Sequence, residues 1–193
     1  MGLPAEKVSL AEYLAWENEQ ETRNEFYRGE IFAMVGTRRV HGLVVTNLLA
    51  ALKLHLRGSK CRAFVEALKV QPSDDAIFYP DVFVTCDEAD LKTDMIFRRP
   101  LLVVEVLSES TQAYDRGLKF SAYRQIDALR EYLHVDPVSR HVEVFRRNER
   151  GNFELIDQTG DPQLVLDSVG LRLPLSELFD GVGEPAAMPS AAQ

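Results

Sequence analysis

Tyr79-Pro80-Asp81-Val82-Phe83-Val84 and Leu101-Leu102-Val103-Val104-Glu105-Val106-Leu107 decide the reading of this chain. Each is a short apolar run of the length and composition of a buried strand. Each also carries one carboxylate, at Asp81 and at Glu105. An unpaired ion taken out of water costs several kcal/mol even after relaxation. Two such groups on neighbouring apolar segments therefore point to a cation between them. A metal ion is the first candidate, because hard divalent cations take oxygen ligands. The plainer alternative is that each carboxylate lies at a strand end and pairs with an Arg or Lys.

Around these runs the pattern gives an ordered series of elements. Ser9-Leu10-Ala11-Glu12 reads as a capping box that opens a helix reaching about residue 21. Residues 25–32 form two β-type runs around Arg28-Gly29, which predicts a hairpin. From residue 41 to 57, Val44, Leu48, Ala51, Leu52 and Leu56 recur at helical spacing, and Gly58-Ser59 ends that helix. Strands follow over 61–70 (with a break), 81–86 and 101–107, the last two separated by a polar loop with a helical turn. A helix is expected from 108–111 to about 128, with Leu118, Ala122 and Ile126 on one face. Then come a strand at 131–135, a closing hairpin of 141–146 and 153–157, and a short helix at 175–179. The order predicts an α/β or α+β domain with a mixed sheet between helices. It covers residues 1–182, and the Pro/Ala/Ser-rich residues 183–193 read as a disordered tail.

Composition narrows the classes. The 193 residues are enough for one domain with a substantial core. No apolar run is long enough to span a membrane, and residues 1–7 do not form a secretion signal. Cys61 and Cys86 lack metal-ligand spacing. Without a signal they read as reduced, buried thiols, and the expected location is cytoplasmic. The net charge of −8 argues against a nucleic-acid footprint held by bulk charge. The charge is uneven, however. Acids crowd residues 6–25, whereas Arg38, Arg39, Arg57, Lys60, Arg62, Arg98 and Arg99 offer a local basic face.

Lys119 adds a third candidate to the carboxylate pair. It lies on the helix that follows the Glu105 strand, from which it could reach back to stabilise charge on a phosphate or orient a water. The alternative is an Asp115–Lys119 pair at i, i+4 on a solvated face, worth about 0.3–0.5 kcal/mol. Glu30 is a fourth candidate if the hairpin sits beside the Asp81 strand, and otherwise a surface residue flanking a turn. Tyr123, one helical turn beyond Lys119, is either a hydrogen-bonding site group or core. The four histidines make no metal set, and His41 reads as a helix-start residue. No nucleophile elbow and no Gly-rich phosphate loop is present.

Taken together, Tyr79-Pro80-Asp81-Val82, Val103-Val104-Glu105-Val106-Leu107-Ser108-Glu109-Ser110-Thr111 and Asp115-Arg116-Gly117-Leu118-Lys119-Phe120 with Tyr123 resemble the Uma2 family of restriction-type endonucleases. Arg28-Gly29-Glu30-Ile31, the His41 helix and Asp136-Pro137 extend the likeness over about residues 10–181. The resemblance implies the restriction-endonuclease-like αβββαβ core of the PD-(D/E)XK nucleases. It implies Asp81 and Glu105 as metal ligands, and Glu30 as a further acidic site residue. Lys119 would stand in for a lysine that usually follows the second acid by two residues. That position is Leu107 here, so the pattern closes only through Lys119. Glu109 stands where many relatives have Pro, which adds negative charge beside a phosphate site.

The resemblance thus implies a Mg²⁺-dependent endonuclease hydrolysing DNA phosphodiester bonds, with Mn²⁺ as a substitute ion and a homodimer to cut both strands. The main alternative is a catalytically silent module of the same fold that binds nucleic acid or a protein partner. A third is a hydrolase of small phosphate esters, which would bind no DNA in a salt-sensitive way.

Overall fold

The computed structural model describes residues 7–34, 36, 38–65, 68–108 and 112–183. The expected tail therefore lies almost wholly outside the described residues, and Glu109 lies outside them too. Helix α1 (Leu10–Glu17) starts on the expected capping box. Ser9 Oγ accepts from the Glu12 main chain, and the Glu12 side chain accepts from Ser9 N at 2.7 Å. Strands β1 (Asn24–Tyr27) and β2 (Glu30–Ala33) form the hairpin. Its turn needs positive φ at Arg28 and Gly29, 50° and 86°, which glycine meets without steric cost. Helix α2 (Arg39–His55) then runs uninterrupted.

The expected strand at 61–70 is two strands in two different sheets. β3 (Arg62–Val65) and β4 (Lys69–Ser73) are followed by β5 (Ala76–Phe78), β6 (Val82–Thr85), β7 (Ile96–Phe97) and β8 (Pro100–Val106). Between β6 and β7 lies one 3₁₀ turn, Asp90–Lys92. Beyond β8 come a short helix α3 (Gln112–Tyr114), a π-helical turn (Asp115–Lys119) and a helix α4 (Phe120–Tyr123). β9 (Glu131–Asp136), β10 (His141–Arg147), β11 (Phe153–Asp157), β12 (Gln163–Leu166), β13 (Leu171–Pro174) and α5 (Leu175–Leu178) complete the chain.

The helix expected to reach residue 128 is thus shorter and partly π-helical. The Phe120 amide reaches the Asp115 carbonyl in the widened i→i+5 pattern. The Tyr132 hydroxyl donates to that same carbonyl at 3.1 Å. A tertiary donor therefore meets the backbone where the turn widens, and Gly117, a poor helix former, lies within it.

The strands make a six-stranded mixed sheet in the order β11-β10-β9-β8-β6-β3, a five-stranded sheet β2-β1-β5-β4-β7, and the hairpin β12-β13. β8 is central. It pairs antiparallel with β6 and parallel with β9, the crossover running through the π turn. Alternation along these strands sends Val82, Val84, Leu102, Val104, Leu133 and Val135 to one face. There they pack on Val44, Val45, Leu48 and Leu52 of α2. Phe83, Val103 and Tyr132 go to the other face, against Val70 and Phe78 of the five-stranded sheet and Ala122 and Tyr123 of α4. The outer face of the five-stranded sheet buries Phe26 and Ile77 under Tyr13 of α1. Each large side chain so buried contributes about 1.5–3 kcal/mol. Among the described residues no helix is long and apolar enough to cross a membrane.

One expectation is overturned. Cys61 and Cys86 are not free thiols but a disulfide. The register pairs Arg62 with Thr85, so the cysteines flank that pair across two adjacent strands. Closing their separation of 25 residues stabilises the fold by about 3.5 kcal/mol in the chain-entropy treatment. The bonded pair also removes the cysteine argument for a reducing compartment.

Candidate metal and phosphate site

The two sheets meet at Tyr79-Pro80-Asp81, the link from β5 to β6. Val82 pairs with Val104, so the next step of the register sets Asp81 across from Glu105. Alternation along β8 places Glu105 on the Val103 face, towards the π turn. Asp81 is fixed at both oxygens. The Val106 amide donates to Oδ2 at 2.7 Å, and His41 Nε2 of α2 lies 3.2 Å from Oδ1. Its side chain keeps 15 % exposure, whereas that of Glu105 keeps 3 %. The site thus opens at Asp81 and closes at Glu105.

Lys119 reaches this site. Its Nζ lies 3.3 Å from Glu105 Oε1, 3.0 Å from Glu25 Oε1 and 3.2 Å from Asp115 Oδ1, and all four side chains are buried. The widened turn brings Asp115 and Lys119 inward together, so their contact is a buried pair rather than a solvated one. Glu25 also accepts the Tyr79 amide at 3.0 Å, tying the hairpin to the sheet junction. The Tyr114 ring stands 5.6 Å from Lys119 Nζ.

Charge is out of balance here. Burial pushes the Glu105 carboxyl well above its ordinary range, with Lys119 pulling the other way and Asp115, Asp81 and Glu25 adding to the rise. Burial raises Glu25 as well. For Lys119, burial works against the ammonium, but Glu105, Glu25 and Asp115 outweigh it and hold the pKa well above the usual value. The lysine therefore stays charged. Next to Glu105 in register on β9 is His134. Burial and then Arg116 push its imidazole down to about 3, which leaves it neutral.

Glu30 does not join the cluster. It pairs with Tyr27, at the turn end of the hairpin and away from Pro80. Its side chain is 61 % exposed and lies 3.7 Å from Lys7. Glu25, on the same hairpin but nearer the junction, occupies the site instead. Sequence reasoning counted Glu25 only among the acidic crowd. Asp115 enters there only as the alternative, a solvated i, i+4 partner of Lys119, and His41 as a helix start. The available signal for Glu25 was a carboxylate inside the strand-like run Asn24-Glu25-Phe26-Tyr27. Tyr123 is buried in the aromatic core beside Phe78 and Tyr132. Its hydroxyl and that of Tyr114 have no hydrogen-bond partner among the described residues.

Do these residues fit a divalent ion? Asp81 and Glu105 are hard oxygen donors on facing strand positions, in a cluster with more carboxylates than cations. That donor set fits magnesium, which is commonly held by one or two carboxylates with water and phosphate oxygens. Among the described residues no three or more His, Cys, Asp or Glu side chains form a cage that would hold a metal alone. Two protein ligands completed by water and substrate is the arrangement these residues allow.

The family model for Uma2, described as "Putative restriction endonuclease", matches residues 10–176. The chain belongs to the Uma2 family. Two uncharacterized proteins of Synechocystis sp. are similar to it. One is 36 % identical over 180 residues, covering 93 % of this chain and 95 % of its own. The other is 32 % identical over 143 residues, covering 72 % and 81 %. Among solved structures, a putative nuclease from Anabaena variabilis matches with a TM-score of 0.75 at 20 % identity, over 91 % of this chain and 99 % of its own. This last likeness shows the shared α+β fold, with its mixed sheets flanked by helices. The family is nuclease-like.

Proposed function

We propose that this Uma2 protein is a Mg²⁺-dependent endonuclease that hydrolyses DNA phosphodiester bonds, with Mn²⁺ as a working substitute. The observation that carries the reading is the approach of Lys119 Nζ to Glu105, 3.3 Å, beside Asp81. Asp81 and Glu105 would hold the ion. When bound, it would supply charge neutralisation at phosphate oxygens and a lower pKa for a coordinated water. The Val106 amide and His41 keep the Asp81 carboxylate from rotating. Lys119, held protonated by three acids, is an electrostatic stabiliser of the phosphate charge rather than a base. Glu25 and Asp115 fix its direction. A two-fold dimer would let such a site act on both strands.

The test is hydrolysis of supercoiled, linear and single-stranded DNA with Mg²⁺ or Mn²⁺. Asp81→Asn and Glu105→Ala should each lower the rate about 10³-fold or more, and Lys119→Met about 10²- to 10³-fold. Equal rates for wild type and Asp81→Asn on every substrate would end the enzyme reading.

One observation favours a second reading, a catalytically silent module that binds nucleic acid or a protein partner. Lys119 is already engaged by three carboxylates, and no self-sufficient metal cage exists among the described residues. Calorimetric titration with Mn²⁺ separates the two. Heat that disappears in Asp81→Asn supports the enzyme.

A further inference from the structure

The outer face of the five-stranded sheet carries a cationic pair that the proposed chemistry does not use. Lys69 Nζ lies 5.4 Å from the centre of the Tyr79 ring, and the Arg23 guanidinium lies 6.0 Å from the same ring. Lys69 is only 6 % exposed, while Arg23 is exposed. Among the described residues neither has an ion-pair partner. Glu17 is the nearby acid, but its oxygens are taken. Oε1 accepts the Asn24 amide at 3.0 Å and the Tyr79 hydroxyl at 2.9 Å, and Oε2 accepts Asn24 Nδ2 at 3.0 Å. Two cations thus converge on one aromatic ring, with a single, fully engaged carboxylate beside them. Burial lowers the Lys69 pKa, Glu17 offsets part of that, and Arg23 adds a smaller push downward.

The location matters more than the count. Phe26 pairs with Ile77, and Val70 with Phe78. Continuing those registers sets Lys69 across from Tyr79, and Arg23 beside Pro80. Asp81 is the next residue. A strand crossing the end of the sheet at Pro80 would pass from Asp81 to this pair. We propose that Arg23 and Lys69, gathered on the Tyr79 ring, bind a backbone phosphate of the substrate next to the phosphate that would lie at the Asp81–Glu105 site. The inference rests on the nuclease reading. It gives a chain of net charge −8 a local hold on DNA where the chemistry would occur. Lysine and arginine are the residues that make such sequence-independent contacts.

The experiment is anisotropy of labelled single-stranded and duplex DNA without divalent metal, over a salt series, for wild type, Arg23→Gln, Lys69→Met and Lys69→Arg. Arg23→Gln and Lys69→Met should each bind about 5- to 10-fold more weakly on any sequence, with the log–log salt slope lowered by about one. Lys69→Arg should keep most of the affinity. Circular dichroism melts check that each variant folds. In parallel, inorganic phosphate should raise the melting temperature of wild type but not of Arg23→Gln. Unchanged affinity and slope in both variants would overturn the subsite and leave Lys69 as a counter-charge to Glu17. If wild type binds no DNA yet phosphate still stabilises it through Arg23, the anion site stands and its role as a DNA subsite falls, while the nuclease reading is decided separately by the hydrolysis assay with metal. If wild type shows neither effect, the subsite is wrong.

Discussion

Glu105 and Glu131 are both carboxylates buried in the six-stranded sheet, on adjacent parallel strands, yet they are held in opposite ways. Glu131, at 0 % exposure, accepts Arg146 Nε at 2.7 Å, the Asp167 and Ser168 amides at 3.2 and 2.9 Å, and the Ser168 hydroxyl at 2.5 Å. Glu105, at 2 % exposure, meets Lys119 at 3.3 Å and shares it with Glu25 and Asp115. One carboxylate is met by four donors, although Arg146 also pairs with Asp167 at 2.6 Å. The other sits in a surplus of negative charge. A buried charge with a full set of donors belongs to the architecture, while one left in deficit is a candidate ligand-binding group.

The largest effect that would test this contrast is on stability. Replacing Glu131 with Ala strands Arg146 Nε and the amides of Asp167 and Ser168, so the fold should lose about 3–5 kcal/mol. Urea unfolding monitored by tryptophan fluorescence gives the number. Metal binding by the folded fraction should not change. A loss under about 1 kcal/mol would mean that the donors around Glu131 re-pair with water at no cost, and the contrast would fail.

A smaller loss is expected from Lys119→Met, about 2–3 kcal/mol at pH 8. The variant leaves Glu25, Glu105 and Asp115 without their shared cation. The acids can partly escape by taking up protons. Native-state proton uptake then exceeds that of the unfolded chain, so stability should climb as pH falls from 8 towards 5. Melts at the two pH values check the sign. A variant equally destabilised at both would show that the lysine's packing, rather than its charge, is what counts.

The contrast also shows what the sequence could disclose. Val103-Val104-Glu105-Val106 and Glu131-Tyr132-Leu133 are alike as strings, each an acid in an apolar strand. The donors that separate them come from Arg146 and from residues 167–168, brought close only by the hairpin β12-β13 and its neighbours. Asp81 and Glu105 were legible because each is a carboxylate within an apolar run and consecutive strands tend to be neighbours. Lys119 was legible as a candidate, but not its burial, since that needs the π turn. The order of the central strands and helices followed from periodicity. The division into two sheets did not, because β3 and β4 follow each other within one strand-like stretch, residues 61–70, and part only through their partners. The disulfide escaped because Cys61 and Cys86 face each other through the β3–β6 register, and their spacing does not reveal it.

The smallest change in the series has the opposite sign. Burial raises the Glu105 pKa above its ordinary value of 4.5, so the native state binds this proton more tightly than the unfolded chain does. A group shifted in that direction favours the fold below the unfolded pKa, and that contribution is lost as pH rises through the native value. Glu105→Gln removes the ionisation and keeps the shape. Lys119 retains Glu25 and Asp115. Without metal the variant should therefore be more stable than wild type by about 1–2 kcal/mol near neutral pH, converging with it in acid. On the proposed function, its DNA hydrolysis should be abolished, and Mn²⁺ should raise its melting temperature less than that of wild type. Greater stability joined to lost metal response is what a carboxylate retained for a ligand requires. Were Glu105→Gln instead less stable at neutral pH, the Glu105–Lys119 pair would contribute net stability, and Glu105 would stand with Glu131 as a structural acid.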